Sequence, residues 1–354
     1  MKYRELLTLL LTVVVFLILI LFINPQVFFQ EVSTISLPIL VLVVVLFVID
    51  LFLRVVRWWV LLLTQEHRIP FRSLVSPIMV SAFLNVLIPA RAGEVVRLYA
   101  LREKHDVRYS VGLSVIVVEQ VINLLSLVLV AAGALGLVLL LGVSLSYEVL
   151  DILTPIAFIG MVGLVGCLVV LLVVDPLFFS PLLRLLPQKI TSKAESMLKT
   201  FAFGLKILRG NWLILGAGVA SSAVIWIIEG FIIWLLAIEF INPDYELSIA
   251  FLASTFGNMT FMFPILPGAA GQYEAVVAII LTLSPLYASK NGVLVAVLDR
   301  LVKTGVMAIL GGYATVKFGV RRVLVVRDEE GAEIREEQAE ISNLVDKSDV
   351  MDVS

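Results

Sequence analysis

The sequence predicts an all-α polytopic membrane protein, with about six full transmembrane helices and two opposed re-entrant hairpins that form an inverted repeat. Of its 354 residues, 60% are hydrophobic and only 15% are charged. Nearly continuous apolar runs, such as 6–23 and 37–53, are long enough to cross a bilayer. A Pro/Gly break interrupts a hydrophobic segment in each half, at 89–93 and 267–271. Paired interruptions of this kind are typical of the binding site of a transporter.

The same sequence argues against several other classes of protein. A membrane β-barrel would need alternating segments of about ten residues, not continuous runs of Leu, Val, Ile and Phe. Cys167 is the single cysteine, and the two histidines, His67 and His105, lie far apart. Neither a disulfide framework nor a Cys/His metal centre is therefore expected. The sequence also lacks the clustered carboxylates and short motifs of the common intramembrane enzymes and hydrolases, so we expect no enzyme and no cofactor.

Basic residues assign each connection to one side of the membrane, because Lys and Arg collect in cytoplasmic loops. Lys2 and Arg4 place the N-terminus inside, and the loop 25–33, which has no basic residue, lies outside. The second span, 37–53, then leads back inside. We assign four arginines to the cytoplasmic loop that follows it: Arg54, Arg57, Arg68 and Arg72.

The apolar stretch 74–89 has basic residues on both flanks, which a full crossing would not allow. We therefore predict a hairpin near 73–105 that enters from the cytoplasm, breaks at 89–93 and returns along 94–104. Non-helical backbone is tolerated at membrane depth where it is buried in protein or lines a water-filled cavity.

A second hairpin follows from the sides of the later segments. The final span, near 293–315, must end inside because Lys317 and three arginines follow it. The segment 249–286 therefore starts and ends outside and forms a hairpin of opposite orientation. Two full spans remain the alternative, since Lys290 alone marks its outer end. The other full spans are predicted at 111–141, 152–174 and 212–238.

The charge is distributed unevenly along the chain. From residue 327 to the end there are ten acidic and three basic residues. We therefore divide the chain into a membrane transport domain, 1–326, and an acidic, disordered cytoplasmic tail, 327–354. A short amphipathic helix that binds a partner is the alternative for the tail. Both termini are expected on the cytoplasmic side of the cell membrane.

Ionisable residues inside the predicted spans are candidate functional groups, because a charge at the bilayer centre costs about 2.5–3.5 kcal/mol on insertion scales. Glu119 lies near the middle of its span, with Asn123 one turn further on the same face. Glu229 and Arg300 lie well inside later spans. A structural role is the alternative for both glutamates, which could be held by hydrogen bonds between helices.

The last span carries a second example of this ambiguity. Asp299 and Lys303 are four residues apart, which suits an ion pair on one helix face. Such a pair would neutralise its own charges without any role in binding.

The hairpin breaks carry the most specific candidates. Arg91 and Glu94 would lie inside the membrane, with Arg97 one turn nearer the cytoplasm. An arginine presents a planar fork of donors suited to phosphate, and the helix that starts after Gly93 adds free backbone N–H groups. These features favour an anionic ligand. The alternative is that 91–108 is only a basic juxtamembrane loop.

At the second break, Gly271 would allow close approach of the backbone. Glu274 would then face the same cavity from the opposite side. Its alternative role is to cap the returning helix, since acidic residues are favoured in a first turn.

The stretches 85–97 and 267–274 resemble the two signature regions of the flippase-like family that includes the transmembrane region of lysylphosphatidylglycerol synthases. Arg54, Arg57 and Glu119 also fit its pattern, and the resemblance covers about residues 5–320. It implies movement of an anionic, aminoacylated or polyprenyl-linked lipid between leaflets, with the residues of both breaks lining the path. The soluble aminoacyl-transfer domain of the full synthases is not expected here.

We therefore predict a lipid translocase whose partner is an anionic or polyprenyl-phosphate lipid. Its interior carboxylates could couple transport to protons. No nucleic acid is expected as a partner, and the sequence leaves the oligomeric state open. Two other functions fit the same sequence: an ion-coupled carrier of a small soluble anion, and a non-catalytic membrane partner of a glycosyltransferase.

Overall fold

The computed structural model describes residues 33–63, 69–87, 93–107, 109–142, 211–262, 269–283 and 291–318. The predictions for the spans 6–23 and 152–174, for the acidic tail and for Arg91 lie outside the described residues. Within the described part, the chain is all-helical. It forms eight α-helices: α1 Leu37–Leu62, α2 Phe71–Leu87, α3 Gly93–His105, α4 Tyr109–Leu141, α5 Trp212–Phe240, α6 Leu247–Met259, α7 Gln272–Leu281 and α8 Asn291–Phe318.

Three of these helices, α1, α4 and α5, are long and apolar enough to cross a membrane. They overlap three of the predicted spans, 37–53, 111–141 and 212–238. The helix α8 has 28 residues, enough for about 42 Å at 1.5 Å per residue. It is less apolar than the other three because it contains Asp299, Arg300 and Lys303.

The helix α1 continues nine residues beyond its predicted end, and the assignment of Arg54 and Arg57 to a loop is wrong. Both arginines lie inside the helix, and Arg57 is buried. The positive-inside rule failed here because carboxylates of neighbouring helices compensate the two charges, so that the helix can continue through them. The apolar residues Trp58–Leu62 then complete the span.

Four shorter helices form two pairs in the chain. The helices α2 and α3 pack against each other, as do α6 and α7. The 13 residues of α3 and of α6 extend only about 20 Å, which is less than a hydrocarbon core of about 30 Å. Each pair is joined through one of the Pro/Gly breaks that the sequence shows.

The helix α5 lies at the centre of the bundle and packs against α1, α4, α6 and α8. One hydrophobic core joins α1 and α4 to the four helices from α5 to α8, and a second joins α1 to α2, α3 and α4. The outward face of α1 is apolar and exposed, as expected of a helix in contact with lipid. Its exposed side chains are Val41, Leu42, Val45, Val48, Ile49 and Phe52.

Candidate functional site

Buried charged side chains form two clusters inside the bundle, each arranged around one glutamate. In the first cluster, Glu119 of α4 lies between two arginines. Its Oε1 accepts a hydrogen bond from Arg57 Nη2 at 2.7 Å, and its Oε2 accepts one from Arg97 Nη2. All three side chains are 6% exposed or less. A single carboxylate therefore neutralises arginines from two different helices, α1 and α3.

Further contacts fix the orientation of each arginine. Arg57 Nη1 donates to Asn123 Oδ1 at 2.8 Å and to Ser222 Oγ at 3.0 Å. Arg97 Nη1 donates to Glu94 Oε2 at 2.7 Å, and its guanidinium lies 4.3 Å from the centre of the Trp58 ring. The first cluster thus brings together Glu94, Arg97, Glu119 and Asn123, four of the candidate binding residues, in an ion-paired arrangement.

The start of α3 is bound to α2 beside this cluster. The backbone N–H of Gly93 donates to Asn85 Oδ1 at 2.8 Å, and Asn85 Nδ2 donates to Glu94 Oε1 at 3.4 Å. An added Cβ at Gly93 would overlap the backbone oxygen of Ser81. Glycine is therefore required for the close approach of the two helices.

The second cluster is arranged around Glu229 of α5. Its Oε1 accepts a hydrogen bond from Arg54 Nη2 at 3.1 Å, and its Oε2 accepts one from Lys303 Nζ. Each cation has a second carboxylate: Arg54 Nε donates to Asp50 Oδ2 at 2.7 Å, and Lys303 Nζ lies 2.7 Å from Asp299 Oδ1. The structural pairing of Asp299 with Lys303 is present, and Glu229 joins it to α1.

The residues of the second break lie at the edge of this cluster. The backbone N–H of Gly271, which has a φ of 79°, donates to Glu274 Oε2 at 2.7 Å. Glu274 is fully buried, and its Oε1 lies 3.8 Å from Arg300 Nε. Arg300 lies over the rings of Phe261 and Tyr273. The capping role of Glu274, which was the alternative reading, is therefore present.

Both clusters depend on α1, which supplies a cation to each. Arg54 and Arg57 are three residues apart and so project from neighbouring turns of one helix. In the first cluster, the described residues provide two arginines and two glutamates. In the second they provide three cations, Arg54, Arg300 and Lys303, and four carboxylates, Asp50, Glu229, Glu274 and Asp299. Carboxylates therefore outnumber cations by one in the second cluster. The described part of the chain contains no group of three or more His, Cys, Asp or Glu that could hold a metal ion.

Sequence reasoning missed several members of these clusters. The predicted topology has Asp50 in a span and Arg54 and Arg57 in a loop. Tyr273, which donates to Asp299 Oδ2 at 2.6 Å, is not among the predicted site residues. Two signals were available. Asp50 and Arg54 are spaced for an ion pair on one helix face, and the apolar run continues beyond Arg57. A charge that has apolar sequence on both sides is more consistent with a span than with a loop.

Comparison with known proteins agrees with a helical membrane protein. Residues 7–311 match the model of the family described as the lysylphosphatidylglycerol synthase TM region. The chain is 26% identical over 359 aligned positions to "Glycosyltransferase AglD" of Haloferax volcanii, covering 95% of this chain and 57% of that protein. It is 25% identical to the "UPF0104 membrane protein MJ1078" of Methanocaldococcus jannaschii, covering 57% of this chain and 80% of that protein.

The chain thus spans little more than half the length of the Haloferax relative. No solved structure matches the chain. The family match, in contrast, includes nearly all the described helices and both charged clusters. The protein is therefore an integral membrane protein that belongs to the family of lysylphosphatidylglycerol synthase transmembrane regions.

Proposed function

We propose that this protein is a lipid translocase that moves an anionic or polyprenyl-phosphate lipid between the leaflets of the cell membrane. The observation that carries the proposal is the pair of ion-paired clusters inside an apolar bundle. Burying charges is costly even when they are paired, and hydrophobic residues of similar size often stabilise a fold as well or better. Intramembrane charges are typically found where polar groups or ions cross a membrane.

The route would lie between two re-entrant hairpins, α2–α3 and α6–α7. Each pair contains helices too short to cross the core, and each has a glycine at the start of one helix: Gly93 is the first residue of α3, and Gly271 directly precedes α7. The N–H groups of Gly93 and Gly271 themselves donate to Asn85 and Glu274, but the positive end of the helix dipole at such helix starts favours anions. Arg91, together with Glu94, would contact the headgroup, while the acyl or prenyl chains remain in the bilayer. The match to a transmembrane region supports a non-catalytic role for this part of the chain.

Cysteine labelling tests the hairpins and the cytoplasmic location of both termini. Single cysteines at Ser289 and at Asp106, in a Cys167→Ser background, should react with membrane-impermeant reagent from opposite sides of the membrane. We expect Asp106 to be labelled from the cytoplasm and Ser289 from outside. Cytoplasmic labelling of Ser289 would contradict the opposed hairpins, and labelling of a cysteine added after residue 327 would locate the C-terminus.

Native mass spectrometry of the lipids that co-purify with the protein tests the substrate class. We expect an anionic lipid to be enriched with the wild type and depleted with Arg91→Ala, because the variant lacks a donor for the phosphate. Arg102→Ala, which removes an exposed ion pair with Asp106, serves as the control and should retain the lipid. Unselective lipid in all three samples would favour the carrier of a small soluble anion.

A second candidate function is a membrane partner of a glycosyltransferase. The observation that favours it is the name of the Haloferax relative, a glycosyltransferase whose sequence extends well beyond the region matched by this chain. Lipid transfer between leaflets by the purified protein alone, in reconstituted vesicles, would distinguish the translocase from a partner that is inactive by itself.

A further inference from the structure

Arg54 differs from every other charged residue of the second cluster in its exposure. Its side chain is 28% exposed, whereas its partners Asp50 and Glu229 are 0% and 4% exposed. The residue lies well inside α1, about eight residues or 12 Å from the end of that helix at 1.5 Å per residue. An exposed guanidinium at such a depth requires an explanation, because contact between a charged side chain and hydrocarbon costs free energy.

The accessible part of Arg54 does not face lipid. Exposed residues of α1, from Val41 to Phe52, form one stripe along the helix. At about 100° per residue, position 54 lies on the opposite side from that stripe. The same inner face carries the buried residues Phe47, Asp50 and Trp58. The accessible edge of Arg54 therefore lies toward the interior of the bundle, in a space that we call the internal cleft, and not on the lipid-facing surface.

The guanidinium presents one edge to its carboxylate partners. Nε and Nη2 donate to Asp50 at 2.7 and 3.3 Å, and Nη2 also donates to Glu229 at 3.1 Å. Nη1 makes no hydrogen bond to any residue in the described part of the chain. Asp50 thus holds the side chain in place, while a second pair of N–H donors remains available to an acceptor in the cleft.

The partners of Arg54 allow it to exchange ligands. Glu229 is also paired with Lys303, so it keeps one cationic partner if Arg54 turns toward a new acceptor. By contrast, the three hydrogen-bonding contacts of Arg57 go to buried or part-buried groups on α4 and α5, and its side chain is 5% exposed. Of the two arginines of α1, only Arg54 combines a fixed position with an accessible edge.

We propose that Arg54 binds a phosphate group in this internal cleft and is a substrate-binding residue separate from the Pro/Gly breaks. The phosphate belongs either to a lipid headgroup or to a free phosphate ion. Its oxygens would take the Nη1 donors and then displace Glu229, which remains with Lys303. Where the phosphate is that of a lipid, the inference rests on the proposed function.

Isothermal titration of the full chain in detergent tests this inference, with dioctanoyl phosphatidylglycerol and inorganic phosphate as separate probes. Dioctanoylglycerol, which has no phosphate, is the control ligand. The variant Arg54→Met/Asp50→Leu removes both members of the pair, so it leaves no buried carboxylate unpaired. We expect its affinity for the phospholipid to fall about tenfold or more, the range for losing a hydrogen bond to a charged group.

The matched control is Arg102→Met/Asp106→Leu. It removes an ion pair of the same i, i+4 spacing on an exposed surface, and its affinity should equal that of the wild type. Equal binding by both double variants would overturn the inference. If the first double variant does not fold, Asp50→Asn is the second test, because the amide oxygen of asparagine still accepts a hydrogen bond from Arg54 while a competing negative charge is removed. Tighter binding is expected, and unchanged or weaker binding would overturn the inference.

The two probes also separate this inference from the proposed function. Binding of inorganic phosphate that depends on Arg54, without binding or transfer of lipid, would support the site and contradict the translocase. Lipid transfer in reconstituted vesicles at the wild-type rate by Arg54→Met/Asp50→Leu, with unchanged affinity, would support the translocase and remove Arg54 from the site.

Discussion

Glu119→Gln is expected to lower the free energy of unfolding by about 3–5 kcal/mol, the range for removing one partner of a buried ion pair. The substitution leaves the shape of the side chain nearly unchanged but removes the charge that compensates Arg57 and Arg97. Arg57 has no second carboxylate within ion-pairing distance among the described residues, so its charge would be buried among neutral acceptors alone, such as Asn123 and Ser222. Unfolding by sodium dodecyl sulfate, followed by circular dichroism, measures the effect.

Glu229→Gln is the matched control for this prediction. Glu229 also lies between two cations, but Arg54 keeps Asp50 and Lys303 keeps Asp299 when its charge is removed. The loss of stability should therefore be clearly smaller than for Glu119→Gln. A larger loss would show that the second cluster, and not the first, contributes more to the stability of the bundle, and an equal loss would contradict the predicted difference between them.

The contrast between the two glutamates bears on function as well as on stability. The first cluster is closed: its arginines are buried and its acceptors are all engaged. The second cluster has alternative carboxylate partners for Arg54 and for Lys303, and Arg54 has an accessible edge. Rearrangement of ion pairs during the proposed transport would therefore cost less free energy at Glu229 than at Glu119. We infer that the first cluster serves mainly to position α3 against α1 and α4, and that exchange of partners takes place in the second.

The sequence predicted the helical class, the three long apolar helices and the family, because these depend on composition and on runs of residues. It also singled out Glu119 and Glu229, since a carboxylate inside an apolar run is visible without a structure. The ion-pair partners of these two glutamates could not be predicted from the sequence. The bridge from Glu119 to Arg97 and the bridge from Glu229 to Arg54 join residues that lie far apart in the chain or in different helices, and the spacing of one helix does not encode them.

Arg54 and Arg57 illustrate a second limit. The positive-inside rule assigns arginines to loops because it treats each charge alone. Here carboxylates on α4 and α5 compensate them, so the helix continues past both. The predicted span therefore ends nine residues too early, and Arg54 and Arg57 were not predicted as members of the two clusters.

Gly93→Ala should disrupt the packing of α3 against α2. The added Cβ would overlap the backbone oxygen of Ser81 and lie 2.8 Å from Asn85 Oδ1. A backbone atom cannot move away as the end of a side chain can, so the two helices must separate. Overpacking of this kind costs about 1–3 kcal/mol. Because Glu94 and Arg97 follow on the same helix, the shift should also weaken the ion pairs of the first cluster.

Two further variants separate backbone overlap from other causes. Gly133→Ala lies in the interior of α4, where an added Cβ would meet nothing within 4 Å, and it should leave stability unchanged or raise it by up to about 1 kcal/mol. Combining Gly93→Ala with Asn85→Ala removes the side-chain overlap but not the contact with Ser81. We therefore expect no rescue in the melting temperature of the purified protein. Full rescue would mean that Asn85, and not the approach of the two backbones, requires glycine at the start of α3.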